Sequence, residues 1–502
     1  MNQSPKKRSE PAKKIGGGSL PLATASSPRA AASSATPSNG GHPRNAPGKL
    51  RKEEQYKNEP WPHIEIQDAC EFIVDCVNKT APVVDHKTPY RMIRTTNVRE
   101  GRINLEECRY VTEDTYLRWT RRATVEDGDV LLTREAPIGE VGYAEGLGKV
   151  FLGQRIMQYR SRPSILQPRF LFYSFQSHTL TSQFSAHEGS GSVVSHIRVG
   201  DCFKFRVPLP PLPIQQRIAS ILGTLDDKIA LNRRINQTLE AMAQALFQSW
   251  FVDFDPVKAK QKILGAGGTA REAELAAMQI ISGKNPHQLK TFQQAQPQQY
   301  AELEHTAKLF PNRLVESELG LVPEGWEVTR IDSLLCLEYG KSLSKTERKN
   351  GLVPVYGSGG VTGNHDQALV SGPGIIIGRK GTVGSLYWED QDFFPIDTTF
   401  YVVPKSGISL SFSFYLLQTL ELQNMNTDAA VPGLNRNNVY RLEVPKYSNE
   451  TIATFATQAD VLRQKIKVNN YEFAKLIDIR DSLLPKLLSG EISVENIGEL
   501  QS

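Results

Sequence analysis

The stretch with the most potential for phosphate chemistry is Gly372-Pro-Gly374-Ile-Ile-Ile-Gly378-Arg379-Lys380-Gly381-Thr382. Glycines beside a lysine and a threonine could cradle a nucleotide. The spacing fails. A Walker loop needs Gly, four residues, then Gly-Lys-Ser/Thr, whereas three residues separate Gly374 from Gly378 and Arg379 follows. Gly357-Ser-Gly359-Gly360-Val-Thr-Gly363 likewise misses the dinucleotide fingerprint. Both read as turns joining strands, with backbone and basic side chains available to a phosphate. Glu347-Arg348-Lys349 has the local shape of a nuclease carboxylate–lysine pair, but such charge clusters are common on surfaces. There is no Asn/Asp-Pro-Pro-aromatic run (Asn285-Pro286-His287 is not one), no Gly-x-Ser-x-Gly elbow and no helically spaced His pair. No catalytic residue and no metal ligand is assigned, which points to a binding protein.

The basic and polar residues point to nucleic acid. Residues 60–207 hold 19 Lys+Arg, 15 of them Arg, against 18 acids. The planar guanidinium fork suits guanine edges and phosphates. Arg94, Thr95, Asn97 and Arg99 lie in a strand-like basic run with Arg91, Arg102 and Tyr90, and Arg134 is a further candidate. The turn bearing Ser190 and Ser192, followed by His196 and Arg198, aligns 237 residues on with Gly433, Leu434, Asn435, Arg436 and Asn437. Polar donors at equivalent points suggest a shared recognition edge. Lys341, Arg379, Lys380 and Thr382 complete the DNA-binding candidates. The net charge of +5 resides in residues 1–59, which hold 11 Lys+Arg and 4 Asp+Glu; the remaining chain holds 48 and 50. A nucleic acid would therefore be met by local patches or with partners, not by a globally cationic body.

What must position these residues is a duplicated framework. Lys228-Ile229-Ala230-Leu231-Asn232 matches Lys465-Ile466-Lys467-Val468-Asn469 at an offset of 237. Val207-Pro208 matches Val444-Pro445 at the same offset. Phe172-Tyr173 matches Phe414-Tyr415 at 242, as Gly139 and Gly142 match Gly381 and Gly384. Each half reads as a globular block followed by a long helix. In the first, from Pro213 to about Phe254, Ile218, Ile221, Leu225, Ile229, Ile235, Leu239, Met242, Leu246 and Trp250 fall near heptad spacing. Pro213 suits the first turn and Pro256 should end the helix. The second, from about Asn449 to Leu484, has Phe455, Leu462, Ile466, Phe473, Leu476, Ile479 and Leu483 on one side, with Pro485 expected to kink or end it and Gly490 to close its last turn. The pairing seam is read as Ile218, Leu225, Asn232, Leu239 and Leu246 against Phe455, Leu462, Asn469, Leu476 and Leu483. One Asn at a seam position sets register and partner.

The expected fold class is α+β: two similar recognition domains separated by two long antiparallel coiled-coil-like helices, a pseudo-twofold repeat. Strands are expected at 131–133, 156–159, 374–377 and 399–403, and helices at 170–184 and 412–425. The domains run as a disordered basic tail (1–59), a first recognition block (60–207), a helix (208–256), a polar connector with helical content near 271–281 (257–320), a second block (321–447), a second helix (448–492) and a tail (493–502). Five scattered cysteines without a Cys-x-x-Cys pair suggest a reduced, cytoplasmic protein, and no apolar run is long enough to span a membrane.

Three segments carry a family resemblance. PLPPLPIQQRIASILGTLDDKIALNRRINQTLEAMAQALFQSWFVDFDP at 208–256, LFPNRLVESELGLVPEGWEV at 309–328, and LRQKIKVNN with LIDIRDSLLPKLLSGEI inside 462–492 resemble a type I restriction–modification specificity (S) subunit. The plan covers about 60–492; the tail departs from it. The resemblance implies two target recognition domains, each reading half of a bipartite double-stranded DNA site, held apart by conserved spacer helices. It implies a non-catalytic chain that binds no cofactor itself. Its partners would be two modification subunits that methylate adenine with S-adenosylmethionine, and restriction subunits that use ATP and Mg. The rival readings are a coiled-coil scaffold that does not bind DNA and a nucleotide-dependent enzyme built on 374–382.

Overall fold

The two long helices form where the heptad pattern lies. In the computed structural model, which describes residues 60–77, 79–187, 196–425 and 433–494, they span Leu212–Phe247 and Asn449–Leu488. At 1.5 Å per residue the 36 residues of the first make a rod of roughly 54 Å. A π-helical turn, Gln248–Val252, follows it. Phe254 then takes a left-handed backbone at φ 56, so Pro256 opens the next helix in its first turn instead of ending the long one. Pro485 is carried inside the second helix, one turn before its end, and Gly490 follows at φ 70. That left-handed conformation suits a residue without a Cβ.

The chain divides into two compact units, and the division cuts both helices in the middle. Of the described residues, the first unit comprises 60–235 together with 468–494, and the second those between 236 and 467. Each unit therefore contains one globular block and half of each long helix.

In the first unit a four-stranded antiparallel sheet runs in the order Cys70–Asp75, Ile156–Ser161, Val130–Arg134, Ile138–Tyr143. In the second the order is Leu335–Tyr339, Thr399–Pro404, Gly374–Gly378, Leu386–Glu389. The topology is the same. Each unit also has a three-stranded sheet with one parallel pair: Arg91–Ile93 beside Val150–Leu152 in one, Val353–Gly357 beside Phe394–Pro395 in the other. Each closes with a two-stranded sheet, His63–Glu65 with Arg206–Pro208 and Val328–Arg330 with Glu443–Pro445. The duplicated α+β architecture expected from the repeat is present. Its detail differs at the glycines. Strand pairing sets Leu132 against Val141 and Ile376 against Tyr387. Gly142 thus lies within a strand while Gly384 lies in a longer turn, so their matched spacing is not structural equivalence.

The helices expected at 170–184 and 412–425 are each broken. Pro168–Phe175 and His178–Ser185 are separate because the Ser177 side chain caps the second, accepting from the Leu180 N–H. Leu410–Thr419 is followed by a short 3-10 turn, Leu422–Asn424, after Glu421 at φ 47. The connector is far more helical than its composition suggests. Asp255–Gly265, Ala270–Ser282, Pro286–Ala295 and Pro297–Lys308 are helices, and Ala277, Met278, Leu289, Tyr300 and Ala307 give them a small core. Thr269 and Asn285 each form a capping box with the third helical residue, which starts two of these helices.

The helices pair antiparallel within each unit. In the first, Asp226 meets Arg480 and Asn232 donates to Glu472 at 3.1 Å. In the second, Glu240 meets Arg463, and Phe247 packs on Phe455 with centroids 5.4 Å apart. Ile218, Asn232, Phe455 and Asn469 are buried as expected. The strict heptad fails beyond Asn232: Leu239 and Leu246 are only half-buried, while Glu240, Ala243, Phe247 and Trp250 are buried. A straight helix drifts about 20° per heptad, so after a few heptads the seam moves on by one residue. Met242 and Ile479 are exposed, and Leu476 and Leu483 are half-buried, for the same reason; Leu225 and Leu462, between buried seam positions, are also only half-buried. The buried seam is better described by Ile218, Leu222, Ile229 and Asn232 in one unit and by Ala243, Phe247, Trp250, Phe455 and Ala459 in the other.

Candidate nucleic-acid interface

In the first unit two of the sequence candidates, Arg94 and Thr95, line a cleft of about 280 Å³ beside the three-stranded sheet. It is lined by Lys79, Thr80, Met92, Arg94, Thr95, Arg109, Gln154 and Arg155 among others. Arg94 follows the strand Arg91–Ile93, Arg109 lies opposite Met92 on the antiparallel neighbour, and Arg155 precedes the strand Ile156–Ser161. Arg94 Nη2 donates to the Glu107 carbonyl at 3.0 Å, while its buried Nε has no hydrogen-bond partner among the described residues. Arg155 is oriented by Glu135 at 2.6 Å. The cleft concentrates four cationic side chains around two threonines, an arrangement that suits an anionic backbone. Lys79, Arg109 and Arg155 are not candidates from sequence, since they come from three different segments.

Two neighbours of Arg94 are otherwise engaged. Asn97 is buried, and its carboxamide oxygen accepts from the Arg94 N–H at 2.9 Å, closing the 3-10 turn Thr95–Asn97. Arg99 folds back onto the carbonyls of Thr95 (2.5 Å) and Val98 (2.7 Å). Both therefore serve the turn rather than a groove. Arg134 Nη1 donates to the Ile197 carbonyl at 3.0 Å and holds the following segment against the sheet; His196 is half-buried and Arg198 exposed beside it. Ser190 and Ser192 lie outside the described residues, as do residues 1–59.

In the second unit the candidates gather around Tyr339. This tyrosine ends the strand Leu335–Tyr339, lies opposite Phe400, and is 45% exposed. The guanidinium carbons of Arg379 and Arg436 lie 4.8 and 4.9 Å from its ring centroid. Arg379 leaves the buried strand Gly374–Gly378 and is fixed by its N–H to the Thr398 carbonyl at 2.9 Å. Arg436 opens the short helix Arg436–Tyr440 and reaches the Leu337 carbonyl at 3.4 Å. Lys380 pairs through its backbone with Gly433, and Lys341 donates its N–H to Pro395; both side chains are exposed, as is Thr382. Asn435 is the helix cap, accepting from the N–H groups of Asn437 (2.9 Å) and Asn438 (3.4 Å), so its side chain is spent on the fold; Asn437 is exposed. Gly374 and Gly378, two of the glycines in the nucleotide-loop reading, lie in the buried strand Gly374–Gly378 and not in a loop. Glu347 accepts from the N–H and hydroxyl of Ser344 and closes a turn.

The five cysteines are free. Burial pushes the Cys70 and Cys202 thiols up to about 12, against the weaker pull of Arg162 on the first and, on the second, of the Tyr159 hydroxyl. No group of three or more His, Cys, Asp or Glu among the described residues is arranged to hold a metal, and no described helix is long and apolar enough to cross a membrane.

Twice in one chain, the same three-sheet block carries arginines at a loop edge and rests on half of each long helix. That is the build of a duplicated specificity protein. Residues 58–241 and 323–474 match the type I restriction modification DNA specificity domain, and the chain belongs to that family. It is 32% identical over 404 residues to the type I restriction enzyme HindI specificity subunit of Haemophilus influenzae, covering 74% of this chain and 88% of that protein. It is 23% identical to the MjaIX specificity subunit of Methanocaldococcus jannaschii, covering 74% and 79%. The crystal structure of the type I restriction-modification S subunit from M. genitalium matches with a TM-score of 0.50 at 17% identity, covering 87% of this chain and 98% of that one, a likeness of fold.

Proposed function

We propose that this chain is the DNA-reading subunit of a type I restriction–modification complex, with each globular block reading one half of a bipartite double-stranded site. The observation that carries this reading is the paired loop edge. Ile197 donates to the Arg134 carbonyl at 3.0 Å in one block, and Leu434 donates to the Arg379 carbonyl at 2.8 Å in the other. Each bond joins the end of the central strand to the segment 237 residues apart in the repeat. Phosphate contacts would position each block, and base-edge hydrogen bonds would select sequence.

The long helices set the distance between half-sites and dock two adenine-modification subunits. Exposed apolar side chains on them, Leu231, Val468, Tyr471 and Ile479 in the first unit and Met242 and Val461 in the second, support a docking role. S-adenosylmethionine belongs to the modification subunits, and ATP and Mg to the restriction subunits. The chain itself performs no bond chemistry.

A four-residue helical insertion near Asn232 tests the reading. It lengthens the rod by about 6 Å, which should widen the preferred spacer by roughly two base pairs at ~3.4 Å each. Sequencing of methylated sites in cells carrying the variant complex reads the spacer directly, and an unchanged spacer refutes the ruler.

A further inference from the structure

The two units solve the same contact with opposite charges. In the first, the Tyr173 hydroxyl donates to Asp226 at 2.6 Å, and Arg480 donates to the same carboxylate at 2.9 Å. In the second, the Tyr415 hydroxyl lies 3.4 Å from Glu240, which takes Arg463 at 2.8 Å. Tyr173 and Tyr415 are equivalent in the repeat, and so are Asp226 and Arg463, 237 residues apart. One block thus meets the acid on the helix that directly follows it and the arginine on the other helix; the other block meets the reverse. All four side chains are largely buried, Glu240 and Arg463 most of all.

This reversal matters for which helices can pair. Replace the second helix by another copy of the first, in the same register, and Arg463 becomes Asp226. Glu240 then faces Asp226. Replace the first helix by another copy of the second, and Asp226 becomes Arg463, so Arg480 faces Arg463. Arg102 of the first block also faces Asp226 and offsets part of the acid–acid repulsion, but like charges brought together in a buried seam remain strongly disfavoured. Side-chain size sorts the same way. Phe247, Trp250 and Phe251 pack on Phe455. Their repeat equivalents, Leu484, Leu487 and Leu488, share the first unit's core with Ile218, the equivalent of Phe455. Ala459, buried in the aromatic unit, has Leu222 as its counterpart. A like pair would crowd one seam and leave the other underfilled.

We propose that the opposed polarity of the Asp226–Arg480 and Glu240–Arg463 pairs makes each long helix select the unlike helix and reject a second copy of itself. The partner chosen is thereby the other half of a chain of this kind, and two like halves do not assemble.

The test uses the full chain, folded and then cut. A protease site is placed between Glu318 and Leu319, both exposed in the turn joining Leu314–Ser317 to Gly320–Pro323. Two preparations with different tags on both fragments are cleaved, mixed, and taken through rising urea until N-terminal fragments exchange between C-terminal ones. Tandem capture then counts complexes containing two N-terminal fragments. In the native sequence these should fall about tenfold or more below the random-assortment level. The double variant Glu240→Arg, Arg463→Glu keeps an ion pair in the second unit, and it also makes both like pairings complementary. It should raise the two-N species several-fold. The reciprocal Asp226→Arg, Arg480→Asp should do the same, and it stands in if the first variant unfolds. Random assortment in the native sequence, or no rise in the swaps, overturns the proposal.

Discussion

Arg379 and Leu434 are joined by a 2.8 Å backbone hydrogen bond that brings the end of a buried strand to the loop preceding Arg436. That one bond explains why two arginines 57 residues apart reach the same tyrosine ring. A guanidinium resting on an aromatic face keeps its N–H edge oriented and loses less rotamer freedom on binding.

If these arginines read bases, removing one should relax a single half-site. Arg379→Ala in the assembled complex is expected to cost about 1–3 kcal/mol of discrimination at one position and to leave the other half-site unchanged. Mapping of methylated sites decides it. Relaxation in both half-sites would mean the residue acts on the fold. Arg379→Lys keeps the charge and loses the planar fork, so it should behave like the alanine variant.

The cleft of the first unit predicts a different signature. Arg109 and Arg155 are both exposed at its rim. Arg109→Ala with Arg155→Ala should weaken DNA binding by the complex evenly across sequences. It should also reduce the slope of log affinity against log salt by about 2, near 0.9 for each phosphate left unneutralised. A changed motif with an unchanged salt slope would exclude phosphate binding there.

How much of this is legible in the sequence follows from the kind of signal involved. The repeat and the strands at 131–133, 156–159, 374–377 and 399–403 are readable because offsets and apolar runs are properties of the chain itself. On the first helix the seam is read at Ile218 and Asn232 and lost beyond Asn232, since a seven-residue ruler drifts on a 3.6-residue helix. Side-chain commitments are not readable. Asn97, Arg99 and Asn435 look identical in sequence to free donors, yet each is spent on a neighbouring backbone group. Tyr339, the platform for Arg379 and Arg436, carries only the faint signal of an aromatic residue before a glycine at a strand end. The helices of the connector are masked by its polar composition, although its capping boxes yield to a four-residue pattern search.

The buried thiols predict how stability depends on pH. Burial raises Cys70 and Cys202 from 9.0 to about 12, so the folded state keeps these protons where the unfolded chain releases them. Their contribution is complete below about pH 9 and is lost as pH rises toward 12. Between pH 9 and 10.5 each thiol should take away on the order of 1–2 kcal/mol. Melting temperature measured from pH 7.5 to 10.5 should fall more steeply in the native protein than in Cys70→Ala, Cys202→Ala. Parallel curves would show that the thiols do not titrate differently on unfolding.

Glu240 offers the sharpest stability test. Its carboxylate is the acceptor for Arg463, whose guanidinium lies against Trp388 and Phe414 at 4.7 and 4.3 Å. Glu240→Ala removes the acid and leaves the arginine buried, which should cost about 3–5 kcal/mol. Adding Arg463→Met to Glu240→Met removes both charges and keeps apolar packing on the rings, and should recover most of that loss. Trp250, Trp326 and Trp388 lie in the second unit and Trp61 and Trp119 in the first, so in a Trp61→Phe, Trp119→Phe background tryptophan fluorescence during urea unfolding reports on the second unit. If the single and double variants lose equal stability, leaving Arg463 buried without its acid carries no penalty, and the ion pair itself is what holds the seam.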